Sequence, residues 1–283
     1  MIPPSHNMIL FAMAAGGGVS IGQLFMGGLI PGIILGIALM IMTAIIARKR
    51  NYPKGRVLSV KEIWKVTKDA LLGLMTCIII VGGVIFGWFT ATESAAVAVV
   101  YAFIITFFVY REIPLRQFGN ILRKSLRTIA MVMALIATAS MFGWLLAYLK
   151  IPAMVTTALL GISTNKIVIL LLINVMCLIL GCIMDMGLLI LILTPILLPV
   201  ATQLGMEPVQ FGAMLILNLA IGLCTPPVGA ALFAGCSIGR IKIEHATKAC
   251  LPFYAMMILV LMLVTFVQPI SMFVPHLMAA MGN

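Results

Sequence analysis

The first 47 residues of this chain contain no Asp, Glu, Lys or Arg, and uncharged runs of 17 residues or more recur along the rest of its 283 residues. About 20 apolar residues rising 1.5 Å each cross a hydrocarbon core of roughly 30 Å, so runs of this length read as membrane-spanning helices. In lipid each backbone N–H and C=O must be paired within the protein, and a helix does this inside one segment. The chain is 63% hydrophobic and 9% charged, where soluble domains carry about a quarter charged residues. The fold class is therefore all-α and polytopic. Disorder, a disulfide scaffold and a nucleic-acid partner do not fit this composition, and the lipid bilayer is the first partner.

Cys77, Cys177, Cys182, Cys224, Cys236 and Cys250 lie in or beside apolar segments, with no C-x-x-C pair and no histidine at ligand spacing. They read as small core residues rather than redox or metal groups. The opening Met-Ile-Pro-Pro-Ser lacks the basic start and small-residue cleavage site of a secretory signal.

Sixteen of the 18 Lys and Arg fall in three stretches: eight in 48–69, five in 111–127 and three in 237–250. By the positive-inside rule these three are cytoplasmic. The net charge of +11 is thus a topology signal and not the footprint of an acidic partner. Ser59-Val-Lys-Glu62 forms a capping box, and Val60, Ile63, Trp64 and Thr67 oppose Lys61, Lys65 and Lys68. Leu115, Phe118, Leu122 and Leu126 similarly oppose Arg116, Arg123 and Arg127. Both stretches read as amphipathic helices lying flat on the membrane surface.

With these anchors 21–47 runs inward, and 70–110 forms two helices meeting near Thr90 to Ser94. Residues 128–149 run outward. Residues 167–203 must begin and end outside, as a full or a re-entrant hairpin bending near Gly181 to Gly187. Residues 208–236 run inward, and a last helix from Leu251 runs outward through 269.

The segment 208–239 is interrupted by Thr225-Pro226-Pro227-Val228-Gly229. Paired prolines remove two donors and clash with the preceding turn, so the helix breaks there. The freed carbonyls survive at membrane depth only when buried in protein or lining a watery cavity, where they can coordinate a cation. The same signature opens the chain. Ile2-Pro3-Pro4-Ser5, a short apolar stretch and Ser20-Ile21-Gly22 precede one long helix; Thr225-Pro226-Pro227-Val228, a short apolar stretch and Ser237-Ile238-Gly239 precede another. The charge pattern gives the two copies opposite orientation, and an inverted repeat with discontinuous helices is a secondary-transporter architecture. Three parts follow: 1–47, a remnant of the first repeat; 48–127, surface helices flanking the pair 70–110; and 128–283, the second repeat with hairpin 167–203 and broken helix 208–236.

The strings Gly87-Trp-Phe-Thr-Ala-Thr-Glu93-Ser-Ala-Ala-Val-Ala-Val-Val-Tyr101, Gly181-Cys-Ile-Met-Asp185, Leu193-Thr-Pro-Ile-Leu-Leu-Pro199 and Gly222-Leu-Cys-Thr-Pro-Pro-Val-Gly229 resemble the large membrane subunit of tripartite ATP-independent periplasmic (TRAP) transporters. The resemblance, which spans nearly the whole chain, implies a sodium-coupled, elevator-type importer of organic acids in the bacterial inner membrane. It also implies two partners, a small membrane subunit and a periplasmic substrate-binding protein, with sodium as coupling ion and no cofactor. Members of that family carry further helices and a first hairpin before the Ile-Pro-Pro-Ser motif. The chain thus reads as lacking roughly the N-terminal third, and as unable to perform coupled transport alone.

The candidate sodium ligands are Asp185, Gly187, Cys224, Thr225, Pro226, Pro227 and Gly229, with Pro3, Pro4 and Ser5 in the first copy. Asp185 is the only acid within 167–206; an intramembrane carboxylate points to function, or else it caps the helix from Met186. Glu93 is either a site group or an N-terminal cap for 94–110. Asn218 supplies an amide oxygen to the pocket or hydrogen-bonds a neighbouring helix. Gly32 and Gly36 form a small-residue packing face. Gly235-Cys-Ser-Ile-Gly239 matches G-x-S-x-G but lacks the strand, histidine and acid of a nucleophile elbow, and there is no H-E-x-x-H or P-loop. The chain is not read as an enzyme. Two alternatives stand beside the TRAP reading, a binding-protein-independent sodium/carboxylate symporter and a non-transporting membrane remnant.

The topology is testable by labelling. In a background without native cysteines, a cysteine at position 54 or 242 should be shielded from impermeant thiol reagents in intact cells while one at position 205 reacts; the opposite pattern would invert every orientation above.

Overall fold

A computed structural model describes residues 2–52, 59–111, 113–163 and 165–280. The described residues contain twelve α-helices and no strand, and six helices are long and apolar enough to cross a membrane. The chain forms two compact units, Ala47–Ala134 and Met1–Ile46 with Leu135–Asn283. Lys54 and Arg56 of the first basic stretch and Glu112 of the second lie outside the described residues.

In the smaller unit α3 (Val60–Ile85) and α4 (Ala91–Ile104) form a helical hairpin. Its turn is 86–90, a few residues earlier than the sequence indicated, because Thr90 and Glu93 cap α4. The Glu93 carboxylate accepts the Thr90 N–H at 2.8 Å while the Thr90 hydroxyl oxygen accepts the Glu93 N–H at 3.3 Å. The arms are tied by the buried Ser94 hydroxyl, 2.9 Å from the Ile79 carbonyl, and by Tyr101, whose hydroxyl donates to the Leu72 carbonyl at 2.9 Å. The amphipathic start of α3 keeps its own direction: the helix bends by 50° between Lys68 and Ala70. The second amphipathic stretch does not form a separate surface helix. Residues 118–148 are one helix, α5, whose 31 residues rise to about 46 Å; the basic first turns overhang a core of roughly 30 Å. A π-helical segment, Ile105–Tyr110, ends α4, and Phe103, Phe107 and Phe118 pack edge to face beside it.

The larger unit holds α1 (His6–Ala14), all but the last turn of α2 (Ile21–Lys49), the end of α5, α6 (Ile151–Ile162), the hairpin α7 (Lys166–Ile183) and α8 (Met186–Gln203), α9 (Pro208–Leu223), α10 (Ala230–Gly239), α11 (Ile243–Phe266) and α12 (Gln268–Ala280). The hydrophobic centre is α9, with 13 of its 16 residues buried; α7, α8 and α11 surround it. The hairpin arms have 18 residues each, about 27 Å by helical rise. The last long helix starts at Ile243, eight residues before the expected Leu251, and the separate helix α12 follows it. Along α2, Ile33, Ile37, Met40, Ile41 and Ile45 are exposed, the pattern of a helix facing hydrocarbon.

Of the two glycines expected as a packing face on α2, Gly32 receives Ile2 against its Cα, whereas Gly36 faces open space. A close backbone-to-backbone crossing lies elsewhere. A Cβ on Gly222 of α9 would stand 2.6 Å from the Gly181 carbonyl carbon of α7, so the two backbones touch. Gly222→Ala should therefore destabilise the protein by about 1–3 kcal/mol through overpacking, whereas Gly36→Ala should leave it unchanged or raise it slightly; melting temperatures in detergent compare the two.

Candidate functional site

The hairpin tip and the helix break meet. After Leu223 the chain turns through Cys224 and Thr225 into the Pro226-Pro227 pair, whose peptide bond is cis, as is that of Pro3-Pro4. The next two residues turn their N–H groups on the tip: Val228 and Gly229 donate to the Cys182 carbonyl at 3.2 and 3.1 Å. One carbonyl at the end of α7 thus receives two donors released by the broken helix. Gly229 adopts φ +43°, and a Cβ there would stand 2.7 Å from the Thr225 carbonyl oxygen, so glycine is required for the loop to close this tightly.

The carbonyls of the break differ in availability. That of Cys224 accepts a hydrogen bond of 2.6 Å from the Tyr254 hydroxyl of α11, and that of Ile221 accepts from the Thr225 hydroxyl at 2.7 Å. Among the described residues no donor reaches the Thr225 carbonyl. The Thr225 oxygen is open, while the Cys224 oxygen is engaged.

Asp185 is the N-cap of α8, its Oδ1 accepting from Gly187 N at 2.9 Å and Leu188 N at 3.4 Å. Its side chain is exposed, so a second carboxylate oxygen stays available at the tip. Gly187 gives α1 room: a Cβ there would meet Leu10 at 3.4 Å. The first-copy residues come near through α1. Ser5 is buried at its N-terminus, and Asn7, two residues on, donates to the Met186 sulfur at 3.5 Å. Pro3 is buried and Pro4 exposed, and no hydrogen bond joins either to the tip. Glu93 takes the capping alternative. Asn218 sends its amide into the helix bundle instead of the loop, donating to the Asn174 carbonyl at 2.9 Å and to Asn174 Oδ1 at 2.8 Å.

Where the hairpin tip docks on the discontinuous helix, the arrangement presents backbone carbonyls and one exposed carboxylate, oxygen groups of the type that hard cations take as ligands. The sequence of residues 1–270 matches the family described as tripartite ATP-independent periplasmic transporter, DctM component. The chain belongs to the DctM family. It is 41% identical over 275 residues to an isethionate TRAP transporter permease, DctMQ, of Oleidesulfovibrio alaskensis, covering 96% of this chain and 43% of that protein. It is 39% identical over 283 residues to a sialic acid TRAP transporter large permease, SiaM, of Vibrio cholerae, covering the whole chain and 66% of the relative. A C4-dicarboxylate TRAP transporter large permease, DctM, of Rhodobacter capsulatus is 36% identical, with 98% and 66% covered. The chain thus spans less than two thirds of the length of these relatives, which are named as permeases and not as enzymes. Like the six apolar helices, a DctM assignment makes it a multi-pass membrane protein.

Sequence reasoning missed three participants in this DctM chain. Tyr254 and Cys182 act through a hydroxyl and a backbone carbonyl in apolar surroundings, and no local pattern marks them. Asn174 had a signal, as the only polar uncharged side chain in 167–181, where a polar residue facing lipid would be costly. The cap geometry makes a separable prediction for Asp185. Asp185→Asn keeps an acceptor for Gly187 N and should retain the melting temperature; Asp185→Ala should lose about 1 kcal/mol. Weaker sodium binding in the asparagine variant would show that the charge, and not the cap, is used.

Proposed function

We propose that this chain forms the ion-coupled translocation part of a TRAP transporter's membrane subunit, importing organic acids with sodium in the bacterial inner membrane. The observation that carries this reading is the docking of the break on the hairpin tip through Cys182, Val228 and Gly229, with the Thr225 carbonyl of the break open and Asp185 of the tip exposed. Sodium takes oxygen ligands, and backbone carbonyls supply them without placing several full charges in lipid. The two Pro-Pro breaks preceding α1 and α10 support an inverted-repeat, elevator-type arrangement, in which Pro3, Pro4 and Ser5 contribute to a second site. The named substrates of the relatives, isethionate, sialic acid and C4-dicarboxylates, share an anionic acid group. That supports an organic acid delivered by a periplasmic binding protein, with a small membrane subunit as the other partner.

The proposal is tested with the full permease and its small subunit in proteoliposomes under a sodium gradient, with and without the binding protein, comparing the wild type with Pro226→Ala/Pro227→Ala. The alanines let the helix continue and pair its own carbonyls. Sodium half-saturation should then rise about tenfold or more, equivalent to about 1.4 kcal/mol or more of site free energy, while expression persists. Unchanged sodium dependence in the double variant rules out the break as the ion site, and uptake independent of the binding protein replaces the TRAP reading with a simple symporter.

A further inference from the structure

Below the tip, α7, α9 and α11 share a polar cluster in an otherwise apolar interior. Asn174, Asn218, Thr265 and Gln210 are all buried, with relative exposures of 1%, 0%, 2% and 3%. The Asn218 amide forks onto both oxygens of Asn174. The Asn174 amide in turn donates to the Leu170 carbonyl at 2.8 Å and to the Thr265 hydroxyl of α11 at 3.3 Å. Gln210 donates to the Val264 and Thr265 carbonyls at 3.1 and 3.0 Å. One acceptor is left over: among the described residues no donor reaches the buried Asn218 Oδ1.

An incompletely paired amide in a core is a poor device for stability, because the unpaired oxygen has lost its water. Its value lies in geometry. A fork onto two oxygens of one residue restricts both sliding and rotation of α9 on α7, as a buried asparagine sets register in a coiled coil. The register so set is the one the site uses. One turn beyond Asn218 stands Gly222, and two turns beyond Asn174 stands Gly181; there the backbones touch, and the Cys182 carbonyl receives Val228 and Gly229. A slip by one turn would bring a side chain into the glycine contact and withdraw both donors.

We infer that Asn174 and Asn218 are a positioning pair, setting the axial register of the hairpin on the broken helix and thereby the geometry of the site at the tip. Only the identity of what the site holds rests on the sodium reading; the register does not.

The test is disulfide formation between Cys182 and Val228→Cys, residues joined by a backbone hydrogen bond, in the full permease with the other five cysteines replaced. The decisive variant is Asn174→Leu/Asn218→Leu. It removes both polar partners together, which can leave stability unchanged, so the melting temperature should be kept while cross-linking slows about tenfold, the scale of coupling between contacting residues. Sodium affinity should fall with it. A purely stabilising role predicts instead that the double variant, once folded, cross-links at the parental rate, and that result overturns the inference. Should the double variant fail to fold, Asn218→Ser carries the same test, since its hydroxyl is too short for the fork. Absence of sodium binding in the wild type would refute the sodium reading alone, because the cross-linking rate reads the register without it.

Discussion

The structure depends on how a membrane helix is allowed to stop. In hydrocarbon an unpaired peptide group costs several kcal/mol, and Pro226-Pro227 removes two donors at once. The solution here is mutual. The tip of the α7–α8 hairpin is itself a chain reversal with a carbonyl at its end, and Cys182 offers that carbonyl to the two N–H groups following the prolines. Each irregular element supplies what the other lacks, so neither could stand at this depth alone.

Close approach follows from the same requirement. For the tip to reach the break, α7 and α9 must run with their backbones in contact, which only the glycines at 181 and 222 permit. Contact along such a smooth seam does not choose a unique offset, and the buried asparagine fork supplies the choice. The apolar core around α9, from Phe211 packed on Phe11 at 6.1 Å to Leu219, provides adhesion without specificity.

Much of this was legible in the sequence because it is written in charge and proline. Absence of charge marked the spans, and the paired prolines located the break between α9 and α10. The hairpin bend was expected within 181–187 and lies at Met184–Asp185. Boundaries set by amphipathicity were less secure: the stretch 115–127 has the periodicity of a surface helix, but nothing in it stops a helix, and it continues into α5. Least legible was which oxygens of the break remain free. That depends on Tyr254, 30 residues away, and on the direction in which Asn218 turns, neither of which has a local signature. Asp185 shows the opposite limit, since its two readings, cap and site group, use different oxygens of the same carboxylate.

Helix α11 touches this arrangement at two levels. Midway along it Tyr254 bonds the Cys224 carbonyl at 2.6 Å, and near its finish Thr265 bonds Asn174 while its last carbonyls take the Gln210 amide. Three helices from separate parts of the sequence are thereby bolted together by hydrogen bonds that have no water to replace them. Any displacement across the bilayer that preserves those bonds must carry α7, α9 and α11 as a single rigid cargo, with its sliding surfaces on the outside of that trio and not within it.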